Sequence, residues 1–527
     1  MLKGPFKLKK WINSANVRIM NRKCIDESFM FSQLRYFIMK FIVNSATVIF
    51  LVTAQTFAAP ILSPERYNLK LLETAPMLFE FHRLTTTSAN QKFHYPQRDS
   101  TWRMNAVERE KDALLKYESG RVLLATSLVG GIDYRGGKSL GDTIWPGINA
   151  GLYMCGYIDS LEFVLDARIY SENHSAERPK SFDGEYIDFQ RKESNDGIEY
   201  VSYARYRGHM SLNMGFARFD VGRDVMHWGP GYYNNLALNQ FSLPFNSMSL
   251  DLQVGPLTVV SVYGDLRIYK GNVDEGNKNA RNLYGHRYEL NFGNLIIGAN
   301  ELQVVYDDND IWLFVPIIPL FMEKGNYTER TNNGAISFDV NYRLLNIARF
   351  YTEFFLDDLQ SPVELIENDD VQSKWAWMTG AQVAHDFQFG KNTLELGTVA
   401  EYARIEPYVY SHFKSNTAQL AHLEVPLGNQ SGPNSQTSDW LVYSRLDNRW
   451  MAGLHQRWFW KGTDAGSNLN DPNPPNHANV HKHFLRGAKM QYSLTPILGY
   501  EGRFTSFALE WTFVDDEKVY ARMGFKW

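Results

Sequence analysis

The sequence predicts an all-β protein: a large transmembrane antiparallel β-barrel of about 18 strands, with a small N-terminal periplasmic helical region. Three observations predict it. The last residues, Val519-Tyr520-Ala521-Arg522-Met523-Gly524-Phe525-Lys526-Trp527, alternate between an apolar and a more polar set and end on an aromatic. Strand side chains alternate with period two, so such a segment is a closing strand that faces lipid on one side and pairs with the first strand on its edge. The same alternation recurs along the chain from residue 121 onward. Mean hydropathy is only −0.36, too polar for a helical membrane protein, while aromatics reach 14%. A barrel hides its membrane signal in alternation and gathers rings at both interfaces.

The chain has 527 residues. Residues 1–38 are rich in Lys and Arg and read as an extended or non-native leader, with Met39 as the expected start. Met39-Lys40 is followed by an uncharged apolar run over 41–57 that ends Thr56-Phe57-Ala58-Ala59-Pro60. A short basic start, an apolar core and a small-residue site make a secretory signal peptide over 39–58, cut after Ala58. The run is shorter than the ~20 residues a spanning helix needs, which disfavours an anchor. After cleavage the chain carries 45 Lys and Arg against 56 Asp and Glu, a net charge of −11. That balance disfavours nucleic acid as a partner. Of the two cysteines only Cys155 lies beyond the signal, so no internal disulfide forms. Cys24 follows no apolar core and does not mark a lipoprotein anchor.

Residues 59–118 read as a periplasmic helical region. Ser63-Pro64-Glu65 supplies a Ser cap and Pro at the first helical position. A second helix is expected over about residues 102–117. It is either a tether or a unit that packs under the barrel mouth. The barrel then spans 119–527. Leu161, Phe163, Leu165, Ala167 and Ile169 share one face and Glu162, Asp166, Arg168 and Tyr170 the other; Phe507, Leu509, Trp511 and Phe513 repeat the pattern. Short turns such as 514–518 alternate with longer polar stretches such as 172–197 and 462–483, as periplasmic turns alternate with extracellular loops.

The centre breaks this rhythm. Val221-Gly222-Arg223-Asp224-Val225-Met226-His227-Trp228-Gly229-Pro230-Gly231-Tyr232-Tyr233-Asn234-Asn235-Leu236 places Pro between two Gly and forces an irregular backbone. Irregular backbone does not face lipid, so this segment folds into the lumen or lies outside the membrane.

Gly222-Arg223 followed by Trp228-Gly229-Pro230-Gly231, then the run 239–245, then Tyr284-Gly285-His286-Arg287-Tyr288-Glu289, resembles the Wzi capsule-assembly family. Gly298, Glu301 and Tyr306, then Pro316 and Pro319, then the acidic strand end Tyr351-Thr352-Glu353-Phe354-Phe355-Leu356-Asp357-Asp358 follow in the same order. The resemblance runs from about residue 121 to the C-terminus. It implies an eighteen-stranded outer-membrane barrel with a periplasmic helical bundle and a lectin-like role in holding exported capsular polysaccharide. Residues 59–118 lack the family's usual Arg-Pro helical signature.

Sugars are recognised by aromatic faces and by Arg, amide and carboxylate groups that bond hydroxyls or acidic substituents. The candidate ligand-binding residues are Arg223, Asp224, Trp228, Tyr232, Asn234, His286, Arg287 and Glu301, with His286, Arg287 and Glu301 expected to meet the motif across the lumen. The same residues can instead brace an inward fold, through pairs such as Arg287 with Glu301 or Arg223 with Asp357, and for any one of them bracing is the readier reading. The loop 462–483 offers Asp464, Asn468, Asn470, Asp471, Asn473 and Asn476. His477, His481 and His483 lack accompanying Cys or carboxylate spacing and read as solvated, with no metal or cofactor expected. No Gly-x-Ser-x-Gly, His-Glu-x-x-His or Walker A motif occurs. The expectation is therefore a non-enzymatic polysaccharide-binding barrel of the outer membrane, monomeric, with capsular or extracellular polysaccharide, membrane lipid and periplasmic export machinery as partners. A substrate-selective saccharide porin and a barrel enzyme are the rivals.

Overall fold

The computed structural model describes residues 113–527 apart from 137–144, 174–190, 196–197, 240, 269–280, 307–310, 318, 321–331, 345–346, 359–372, 413–417, 448, 472–480, 503, 515–517 and 527. The expected leader, signal peptide and helix start at Ser63 lie outside the described residues.

Strands β1 (Val122–Gly136), β2 (Trp145–Ile158), β3 (Leu161–Asn173), β4 (Ile198–Asn213), β5 (Ala217–Asp224) and β6 (Phe245–Val254) open the barrel. Next come β7 (Leu257–Leu266), β8 (Arg281–Asn291), β9 (Leu295–Tyr306), β10 (Asn332–Leu344), β11 (Ala348–Asp358) and β12 (Lys374–Phe389). β13 (Asn392–Ile405), β14 (Ser435–Leu446), β15 (Trp450–Lys461), β16 (Lys489–Glu501), β17 (Thr505–Val514) and β18 (Lys518–Lys526) complete it. Each pairs antiparallel with its neighbour, and β18 returns to β1 with Val129 opposite Lys526 and Gly136 opposite Val519. The eighteen strands thus close on themselves and leave no unpaired edge.

Two further strands of the same sheet lie outside this ring. Arg191–Asn195 folds onto the upper part of β4. Leu115–Ser119 pairs with the start of β1, Leu115 opposite Thr126 and Ser119 opposite Val122. The helix expected over about 102–117 is therefore corrected at its end. Residues 115–117 are strand, because Gly120, at φ 56°, makes a tight turn that folds them back onto β1. The helix's first eleven residues, 102–112, are outside the described ones.

The connections at 159–160, 214–216, 255–256, 292–294, 345–347, 390–391, 447–449 and 502–504 are all short and lie at one end. The long connections lie at the other. In outer-membrane-type barrels these ends are periplasmic and extracellular respectively. Strand order places 515–517 at the long-loop end even though it is short.

Alternation sets the two faces of the wall. Ile132, Ile148, Ile169 and Phe338 point outward and are 53%, 63%, 66% and 54% exposed. Asn149, Arg168 and Asp339, each one residue away, and Ser127, an odd number of positions from Ile132, are buried on the lumen side. Outward aromatic pairs sit near the long-loop end, including Trp377 with Tyr402 and Trp458 with Tyr492, and near the opposite end as Trp450 with Tyr500. Transmembrane barrels carry aromatic rings at these two levels. Among the described residues no helix is long and apolar enough to cross a membrane.

The lumen holds the main apolar core. Wall residues Val260, Val262, Leu283, Leu302, Val304, Phe355, Met378 and Ile405 pack against Trp228, Leu236, Leu238, Val409, Tyr410, Leu420 and Leu427 from two inward-folded connections, 225–244 and 406–434.

If the outward face is the lipid face, Phe338→Arg in a bilayer should lower unfolding stability by about 2–4 kcal/mol. Chemical denaturation in liposomes measures this, and a loss near zero would contradict the assignment.

Candidate functional site

The segment 225–244 leaves β5 and turns into the lumen. Gly229 has a φ of 115°, and a side chain on Gly231 would lie 2.4 Å from Met378 and 2.7 Å from Asn235. Only glycine fits either position. Asn235 ties the turn: its Oδ1 accepts the Gly231 N–H at 2.6 Å, and its Nδ2 lies 3.0 Å from the His227 ring nitrogens. The Trp228 N–H donates to the Leu238 carbonyl at 3.0 Å and closes the loop. The Trp228 indole then packs against the wall at Gly285, where a Cβ would stand 3.0 Å from the ring. That contact explains why the expected Tyr284-Gly285-His286 sequence has its glycine.

Between Gly231 and Leu238 five backbone N–H groups point at the wall, and carboxylates on its strands receive them. Glu401 of β13 accepts from the N–H of Tyr232, from that of Tyr233 at 2.9 Å and from that of Asn234 at 3.0 Å. It also accepts the Tyr351 hydroxyl at 2.7 Å. Glu353 of β11 accepts from Leu236 at 2.8 Å and Ala237 at 3.0 Å. Asp439 of β14 accepts the Asn234 side-chain amide at 2.9 Å. Hydrogen bonds to charged acceptors contribute about 1.5–3 kcal/mol each, and an orphaned buried N–H costs a similar amount. The wall carboxylates thus act as a cap for an irregular backbone that has no helix or sheet partners of its own.

The second connection locks the first. The Tyr410 N–H donates to Asp357 at 2.7 Å, and its hydroxyl donates to the Leu236 carbonyl at 2.9 Å. The Asn239 N–H donates to the Leu427 carbonyl at 2.8 Å. The bridge Ala421–His422 with Val425–Pro426 is held by the Arg267 N–H donating to His422 Nδ1 at 3.0 Å. Burial, with the charges of Arg223, Arg281 and Arg267, pushes the His422 imidazole down to about 3, so Nδ1 stays an acceptor at neutral pH. Above it the loop 462–471 closes down: the Tyr408 N–H donates to Gly466 and the Gln419 amide to Leu469 and Asn470.

The expected ligand residues separate into three groups. Trp228, Tyr232 and Asn234 are buried in the plug, and Asn234 is fully engaged by Glu401, Asp439, Asn429 and Thr437. Arg287 is buried in the lumen wall, where it donates to Asp339 at 2.6 Å, Asn300 at 2.8 Å and Glu289 at 3.2 Å. Gly298 leaves room for that cluster, since a Cβ there would come within 2.4 Å of Asp339. Asp224 meets Arg207 and caps the Val225 N–H at the lumen rim.

The third group corrects the sequence reading. His286 and Glu301 do not meet the motif across the lumen. Their neighbours Gly285, Arg287 and Asn300 face inward, so period two turns His286 and Glu301 to the outer face. Arg223 likewise faces out, its guanidinium 5.8 Å over the ring of exposed Tyr206. The pairings Arg287 with Glu301 and Arg223 with Asp357 do not form; Asp339 and Glu289 hold Arg287 instead.

Glu401 and Asp439, which the sequence reading does not name, carry the plug together with Tyr351, which it names only as part of an acidic strand end. Their signal is an acid or phenol at an inward position of an alternating strand, as in Val399-Ala400-Glu401-Tyr402-Ala403.

Beside the plug the lumen wall is polar. Arg168 pairs with Asp166 at 2.7 Å and reaches Asn149 at 3.1 Å; Arg218 pairs with Asp220 at 2.8 Å. Tyr170 and Tyr203 stack 5.2 Å apart at 2°. At the mouth Asn468 and Asn470 are exposed and Asp464 half-buried, while Asp471 Oδ2 accepts the N–H of Gly466 at 2.9 Å and of Asn468 at 3.0 Å. Asn473, Asn476 and His477 are outside the described residues, and His481 and His483 are exposed. Among the described residues no three His, Cys, Asp or Glu side chains converge as a metal site. The groups present bond hydroxyls and stack on rings.

No known family profile matches the sequence, and no curated protein matches it. Solved structures do. Wzi of Escherichia coli, described as an outer-membrane protein involved in group 1 capsule assembly and a carbohydrate-binding β-barrel, is 13% identical, with 82% of this chain and 88% of that chain covered at a TM-score of 0.49. Acinetobacter baumannii OccAB1 is 12% identical, covering 77% and 96%, at a TM-score of 0.40. Pseudomonas aeruginosa OccK1 (OpdK) is 12% identical, covering 77% and 98%, at 0.37.

Glu401→Ala orphans three buried N–H groups and should cost about 3 kcal/mol or more. In planar bilayers the variant should show frequent large openings that the unmodified barrel lacks, with Glu401→Gln intermediate. Identical traces for all three would contradict the pinning role.

Proposed function

We propose that this chain is a non-enzymatic outer-membrane protein that binds polysaccharide and helps assemble or attach a capsule or exopolysaccharide at the cell surface. The observation that carries this reading is the packed core inside the lumen. The motif residues that resemble the Wzi family, Trp228-Gly229-Pro230-Gly231 foremost, build the plug rather than a pore lining. A barrel whose bore is occupied by a packed, hydrogen-bonded core serves as an anchor, and its contact with a polymer is made at the mouth.

The mouth has suitable chemistry. Asp464, Asn468 and Asn470 lie on a loop fixed from beneath by the plug, which lowers the ordering cost of binding hydroxyls. A long glycan meets many copies of such a protein, so individually weak contacts add up to firm retention. The net charge of −11 beyond the signal peptide favours a neutral or weakly acidic polymer.

One observation favours the second reading, a substrate-selective saccharide porin. The lumen wall beside the plug carries the Arg168–Asp166 and Arg218–Asp220 pairs, a lining that suits a polar solute.

Cells that lack this chain should make normal amounts of surface polysaccharide and release it into the medium. Restoring the gene with Asp464, Asn468 and Asn470 all changed to Ala should leave the barrel in the membrane and retention reduced several-fold. Normal retention without the chain, together with slower saccharide uptake, would replace the first reading by the second.

A further inference from the structure

Residues 311–320, Ile311-Trp312-Leu313-Phe314-Val315-Pro316-Ile317-Ile318-Pro319-Leu320, carry no charge. They begin as the 3-10 turn Ile311–Phe314 and, among the described residues, lie against the outside of β7, β8 and β9, not in the lumen. Gly285 and Arg287 of β8 face the plug and the lumen cluster, so Tyr284, His286 and Tyr288 face out. Outward positions on this wall are normally exposed, as Leu290 and Ile297 are, yet Tyr284 and His286 are 1% and 0% exposed. Leu313 and Leu320 cover them, packed with Tyr284 and Val305.

Irregular backbone survives in lipid only when its polar groups are turned inward and satisfied. Four backbone groups of this segment meet that condition. The Ser261 hydroxyl donates to the Phe314 carbonyl, and the Tyr288 hydroxyl to the Pro316 carbonyl at 2.7 Å. The Val315 N–H donates to Trp312 at 3.0 Å, and the Leu320 N–H to Glu301 at 3.1 Å. Pro316 and Pro319 have no N–H to satisfy. Tyr288 lies nearer the turn at 292–294 than the outer end of its strand, so Pro316 reaches well down the wall. The opposite side of the segment is apolar and open: Ile311, Trp312 and Ile317 are 56%, 68% and 86% exposed, on the same outer wall as exposed Leu290, Ile297 and Phe338. Beneath it sit His286, Glu301 and Gln303, polar groups that bare lipid would not tolerate.

We propose that residues 311–317 and 319–320 form a membrane-embedded strap on the outer wall, with Ile311, Trp312 and Ile317 in contact with the acyl chains of the membrane and with His286 and Gln303 sealed from lipid, and Glu301 largely covered, beneath it.

Ile317→Cys, in the full chain with Cys24 and Cys155 changed to Ala, carries an environment-sensitive fluorophore into lipid nanodiscs. The same label at Asn468→Cys, on the mouth loop, is the aqueous reference. The expected result is a blue-shifted emission at 317 relative to 468, loss of most of its fluorescence to lipids bearing nitroxides on the acyl chain, and insensitivity to iodide. Emission like that at 468, lost to iodide and not to the nitroxide lipids, would overturn the proposal.

Discussion

An irregular chain inside a barrel has the same problem as one in a membrane: its backbone donors have left water. Here the N–H donors of Tyr232, Tyr233, Asn234, Leu236 and Ala237 are received by Glu401 and Glu353, two carboxylates that project from the wall. Everything else about the lumen follows from this arrangement. With the turn fixed, Trp228 reaches Gly285, Tyr410 reaches Leu236, and the second connection finds a surface to pack on. Burying a carboxylate is costly on its own, and the several N–H groups converging on each one offset that cost. Wall and plug therefore stabilise one another.

Much of the fold is legible in the sequence because alternation is a local property. Val519-Tyr520-Ala521-Arg522-Met523 identifies the closing strand, and β18 does pair with β1. The failure at 115–117 has a tertiary cause. A stretch that mixes Glu, Lys and Leu suits a helix, and pairing with β1 across Gly120 overrides it. The inward turn of the central motif is legible too, since Gly229-Pro230-Gly231 excludes a regular strand.

The site is less legible. Adjacent residues on a strand cannot share a face, so His286 and Arg287 cannot both serve the lumen; composition groups them and geometry divides them. The plug's partners are far away in sequence, with Glu401 separated from Tyr233 by 168 positions. An isolated acid on one strand carries no local mark that distinguishes a backbone acceptor from a lumen-lining charge. The strap over His286 is hidden for a related reason: its ten uncharged residues look like a loop until the wall hydroxyls of Ser261 and Tyr288 are brought beneath them.

The central claim, that the wall carboxylates hold the plug as firmly as the strands hold one another, is tested most directly by amide hydrogen exchange of the full chain in nanodiscs. The account predicts that the N–H groups of Tyr232 to Ala237 exchange as slowly as those of β11. Exchange as fast as that of the mouth loop at 464–471 would contradict it.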